Sequence, residues 1–194
     1  MSVRALGLYA QGRGDEASSH ADRAVAIASA GTPDHLARAL GTAALIHAVN
    51  ERVDAATVAI NRARGLLSAV ESPAELIAIG STLALALVNL ERFDAAHGLL
   101  DSVQPLSADH PPPTLYLLTR GWAAVGTGAY QQALTSFAAS IPVLTPHPAD
   151  RHSVETLLGA ACALAGRGHA SAASALAAAL ELVDRVNFLS LIHI

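Results

Sequence analysis

Lysine is absent from this chain: all 12 basic residues are arginine. A phosphate-binding Walker A loop and a Schiff-base enzyme both need a lysine, so neither resides in this segment. Cysteine occurs once, at Cys162, which excludes an intramolecular disulfide and fits a reducing compartment. Aromatic residues make up 4% of the chain, too few for a large aromatic core. Charged residues are 14% and the net charge is −4. The basic face that nucleic acid contact requires is therefore missing. Long apolar runs are missing too, despite a mean hydropathy of +0.39. The longest, Leu76 to Val88, is broken by Gly80, Ser81 and Thr82 and falls short of the ~20 residues that span a bilayer. It reads as a buried helix. No basic segment followed by an apolar run and a small-residue cleavage site is evident. The expected location is the cytoplasm.

What the chain does have is alanine and leucine, the main contributors to a 52% hydrophobic content. Both are strong helix formers, and the expected class is all-α. Five segments look alike: Gly12-Arg13-Gly14-Asp15-Glu16-Ala17, Glu51-Arg52-Val53-Asp54-Ala55-Ala56, Glu91-Arg92-Phe93-Asp94-Ala95-Ala96, Gly128-Ala129-Tyr130-Gln131-Gln132-Ala133 and Arg167-Gly168-His169-Ala170-Ser171-Ala172. With Gly14, Val53, Phe93, Tyr130 and His169 as reference points, the spacings are 39, 40, 37 and 39 residues. The fifth point can shift by one residue, because its Gly-Arg-Gly is ambiguous.

Other offsets keep this register. Three residues after each point comes alanine: Ala17, Ala56, Ala96, Ala133 and Ala172. Nine before comes a small residue: Ala5, Ala44, Ala84, Gly121 and Ala160. Seven after comes an apolar one: Ala21, Ile60, Leu100, Phe137 and Leu176. Closely crossing helices need small side chains where their backbones meet and larger ones beside them. The pattern predicts one helix hairpin written five times, over roughly 1–31, 34–70, 73–106, 113–145 and 150–186. Thr32-Pro33 and Ser72-Pro73 place a hydroxyl cap before a first-turn proline, and Ser72 with Glu75 has capping-box spacing. Asp150 is a further cap after Pro146 and Pro148. Pro111-Pro112-Pro113 separates the third and fourth hairpins.

This spacing resembles that of tetratricopeptide repeats, which carry a small residue, an alanine and an apolar residue at corresponding positions. It differs in length, about 39 residues against 34, and lacks the usual proline closing the second helix. The resemblance implies a right-handed α-solenoid. Longer, alanine-rich repeats with motifs such as Gly-Arg-Gly-Asp-Glu-Ala and Glu-Arg-Phe-Asp-Ala-Ala look like the helical-repeat region of large ATP-binding LuxR-type transcriptional regulators, the maltose-regulon activator group among them. In that family a nucleotide-binding module precedes the repeats and a helix-turn-helix domain follows. Neither is in this chain, so the resemblance implies an interior piece, truncated at both ends. Residues 1–188 read as the repeat domain. Leu189-Ser190-Leu191-Ile192-His193-Ile194 breaks the style of the chain and looks like translated adapter sequence, a non-native tail.

Catalytic patterns are not found. The nine histidines form no His-Glu-x-x-His, and His147 and His152, five apart across prolines, make a poor ligand pair. His47 reads as a core packing residue, and His20, His35, His97 and His110 as surface or loop. Cys162, between Ala161 and Ala163, reads as a buried structural thiol. Gly126-Thr127-Gly128 and Arg13-Gly14-Asp15 read as repeat turns. No enzyme, metal or cofactor is expected.

Function is expected in the concave groove of the first helices, lined by Ser81, Leu85, Asn89, Leu118 and Trp122. Trp122, the only tryptophan, would be a natural anchor, but packing between hairpins is the favoured reading of it. An apolar lining suits a partner helix or a small effector. The expected function is effector or partner binding within a LuxR-type regulator. The alternative is a free-standing tetratricopeptide scaffold. Self-association through uncapped ends is a further expectation.

Overall fold

The computed structural model describes residues 2–103, 112–144 and 151–186. Among them lie ten α-helices and no strand. They are α1 Ser2–Ala10, α2 Gly14–Ala28, α3 Pro33–Val49, α4 Val53–Arg64, α5 Pro73–Asn89, α6 Phe93–Ser102, α7 Thr114–Gly126, α8 Tyr130–Leu144, α9 Arg151–Gly166 and α10 Ala172–Val186. The chain forms two compact units, Met1–Ser107 with three hairpins and Ala108–Ile194 with two. In the first, α3 packs against its own partner α4 and against α2 and α5; in the second, α9 packs against α8 and α10.

Each hairpin turns through one residue in the left-handed region: Gly12, Glu51, Glu91, Gly128 and Gly168, with φ of 73°, 57°, 57°, 75° and 66°. That residue donates its N–H to the carbonyl three back, and the next residue donates to the carbonyl five back. Glu51 N to Ala48 O is 3.1 Å and Arg52 N to His47 O is 2.9 Å; the other turns repeat the pattern. This is the Schellman closure of a helix C-terminus. The Gly-Arg-Gly and Glu-Arg-x motifs are thus the local code for a turn, and Arg13-Gly14-Asp15 sits within one.

The alanines stand where the repeat register requires. Ala17, Ala56, Ala96 and Ala133 are fully buried, as are Ala5, Ala44 and Ala84, and Gly121 is buried. Ala21, Ile60, Leu100 and Phe137 are buried seven residues after their reference points. The fifth hairpin departs from this. In the first four, the second helix begins two residues after the left-handed residue; in the fifth, α10 begins four after Gly168. The turn places its reference at Ala170, one residue beyond His169. On α9 this buries Ala161 and Ala163 while Ala160 is half-buried. Along α10, Ala172 and Ala175 are half-buried, Ala179 and Val183 are buried, and Leu176 is 45% exposed.

Caps fall as the sequence indicates. Thr32 Oγ1 accepts from His35 N and Ser72 Oγ from Glu75 N, each at 3.4 Å. The return half of the capping box is not made. The Glu75 carboxylate pairs instead with Arg38 on α3. The cap at Asp150, the residues Pro111, Pro146 and Pro148, the histidines His110 and His147, and the tail 189–194 lie outside the described residues.

Two seams between consecutive hairpins are built from different chemistry. Between the first and second, Asn50 Nδ2 donates to Gly14 O at 2.8 Å and Ser18 Oγ at 3.0 Å. His47 Nε2 lies 3.0 Å from Asp22 Oδ1, and Arg52 donates to Asp15 at 2.6 Å. Between the fourth and fifth, Phe137 fills the space. A Cβ on Gly121 would come within 2.5 Å of its ring, and one on Gly159 closer still. Beside it the Ser140 and Thr156 hydroxyls, both buried, meet at 3.1 Å.

Candidate functional site

The surface left to the first helices is set by which rows of side chains the neighbouring helices cover. Eight residues before each hairpin reference stand Leu6, Leu45, Leu85 and Trp122. Leu6 is 41% exposed, and Leu45, Leu85 and Trp122 are half-buried. They are flanked by Ala5, Ala44, Ala84 and Gly121, whose sides face the second helices. In the first unit, α3 packs against both α1 and α5, so Leu6, Leu45 and Leu85 form one apolar row on adjacent helices. One turn further on, Val49 is half-buried and Asn89 is exposed.

The five residues singled out from the sequence divide. Asn89 is exposed and donates Nδ2 to Leu85 O at 2.8 Å. Leu85 is half-buried one turn before it. Ser81 is fully buried and donates Oγ to Ile77 O at 2.7 Å. It has no surface to offer a partner. At this level α3 and α5 approach closely: a Cβ on Gly41 would lie 3.8 Å from Thr82 and 3.9 Å from Ile79.

Leu118, at 2% exposure, is core as well, in the cluster of Ala124, Ala133, Phe137 and Ala163. Trp122 packs against that cluster, its ring edge-on to Phe137 with centroids 5.8 Å apart and planes at 77°. Packing thus claims much of the tryptophan and leaves the rest at the surface. Ser81, Leu85 and Asn89 lie in the first unit, and Leu118 and Trp122 in the second.

Sequence reasoning passed over Leu6, Leu45 and Val49, although the offset that picked out Leu85 also points to Leu6 and Leu45. It also placed Cys162 inside. The thiol is exposed. With the turn reference at Ala170, Cys162 falls eight residues before it, in the same outward row as Trp122, while Ala161 and Ala163 turn inward.

Among the described residues, no group of three or more His, Cys, Asp and Glu side chains could hold a metal ion. His47 is buried; its Nδ1 has no hydrogen-bond partner and its Nε2 faces Asp22. His152 Nδ1 lies 3.3 Å from Glu155. Arg13 donates to both Glu16 oxygens at 2.7 and 2.6 Å, and these hydrogen bonds hold the Glu16 carboxyl below its usual range. Both side chains are exposed beside the first turn. A shallow depression of about 480 Å³ between α2 and α3 is lined mainly by alanine, with Ile27, His35 and Arg38 at its rim. Arg38 is already paired with Glu75. No helix among the described residues is long and apolar enough to cross a membrane.

Hairpins of this geometry define a helical-repeat fold, and known structures agree. No protein-family model matches the chain, nor does any curated protein. Solved structures do match, among them two crystal structures of a Podosopora anserina putative kinesin light chain with nearly identical TPR-like repeats. The first, a point variant, aligns over 96% of this chain and 94% of its own at 16% identity, with a TM-score of 0.66. The second aligns over 98% and 95% at 16% identity, with a TM-score of 0.61. The fold is therefore that of tetratricopeptide-like repeats.

Proposed function

We propose that this chain is a helical-repeat binding segment that takes up a protein partner, or a small effector, on its first helices and performs no catalysis itself. The observation that carries this is the row Leu6, Leu45 and Leu85: large apolar side chains, partly exposed at one register position on adjacent helices whose Leu8, Leu40, Leu83 and Leu87 are buried. Such a surface gains free energy by covering apolar area, at roughly 25 cal/mol per Å². It suits the apolar face of a helix. The negative net charge argues against nucleic acid as the ligand.

The test is a paired substitution, Leu45→Asp with Leu85→Asp. A partner captured by the parent chain should be lost by the double variant, with helicity by circular dichroism unchanged. Retention of the partner at full affinity would refute the assignment of this face.

A finer reading places the segment inside a LuxR-type ATP-dependent regulator, where it would couple its ligand to nucleotide-binding and helix-turn-helix modules. It rests on the Gly-Arg-Gly-Asp-Glu-Ala and Glu-Arg-Phe-Asp-Ala-Ala turns and on the repeat length. Reading the uninterrupted gene tests it: a frame with neither module on its two sides would end it. The alternative, a free-standing scaffold that docks other proteins, is favoured by the likeness to kinesin light chain-like repeats. A stable partner with no link to transcription would support that alternative.

A further inference from the structure

We draw no further inference here: the strongest candidate, the alanine-lined depression between α2 and α3 with Ile27, His35 and Arg38 at its rim, carries nothing, because Arg38 is already paired with Glu75 and nothing in the structure shows what occupies it.

Discussion

The seam between the first two hairpins and the seam between the last two occupy the same register and are filled by opposite means. On the first, the residue seven past the reference is Ala21, and the volume comes from the other side, as Ile46 of α3. On the second, that residue is Phe137, and the other side has retreated to Gly159 and Ala163. The large side chain has switched helix, and a small residue faces it each time, as close packing requires. The polar content differs as well. The first seam adds Asn50, His47 and Arg52 reaching to Ser18, Asp22 and Asp15. The second has an aromatic plug with one buried hydroxyl pair. The repeat thus fixes where helices cross and leaves open how each crossing is sealed.

If the second seam rests on shape, truncating its plug should have the largest effect of any change here. Phe137→Ala should cost about 3–5 kcal/mol, because two glycines cannot close the void. Gly159→Ala should cost about 1–3 kcal/mol by overpacking, despite the roughly 1 kcal/mol that alanine gains over glycine in a helix. The ring cannot yield, since moving off Gly159 drives it onto Gly121. Combining Gly159→Ala with Phe137→Leu should recover most of that loss in a double-mutant cycle read by urea denaturation. Additive costs would mean the ring and the glycine do not share one site.

If the first seam rests on hydrogen bonds, it should break differently. Asn50→Ala should cost about 1–3 kcal/mol, because it leaves the buried Ser18 hydroxyl without its partner. Asn50→Leu together with Ser18→Ala should recover part of that loss, since the Asn50–Ser18 pair goes as a whole and only the bond to Gly14 O is forfeited. The chain has already tried half of this exchange: one hairpin later, Leu90 and Leu87 stand where Asn50 and His47 do. A double variant as unstable as Asn50→Ala would show that the seam needs polarity rather than fill.

This contrast also marks how far the sequence could be read. The crossings were legible because a close backbone contact favours alanine or glycine, and that demand recurs in each of the first four hairpins. The candidate groove was half legible. Leu85, Asn89 and Trp122 carry some surface, but Ser81 and Leu118 lie on the same helix face one turn away and are covered. Their burial depends on how neighbouring helices and the Phe137 cluster close over that level, which is a property of packing between repeats and not of periodicity within one. The fifth turn was ambiguous because Arg167 lies between two glycines, Gly166 and Gly168, and only the φ of 66° at Gly168 decides which one turns the chain. One inserted residue then sufficed to bring Cys162 from the expected core to the surface.

The smallest effects should come from the turns, which both seams share. Three of the five left-handed positions are glycine, and two, Glu51 and Glu91, carry a side chain at φ 57°. A left-handed backbone strains any residue with a Cβ, and neither glutamate is placed to recover that cost, since both are exposed. Glu51→Gly and Glu91→Gly should therefore each stabilise the chain by about 0.5–1 kcal/mol, and Gly128→Ala should destabilise it by a similar amount. Thermal unfolding of the three variants reads the sign directly. The strain resides in the turn and not in what the seam contains. Glu51, at the polar seam, and Glu91, which precedes no such seam, should give equal gains. A gain confined to Glu91→Gly would show that Glu51 takes part in the polar seam and that the turn and the contact above it are one device.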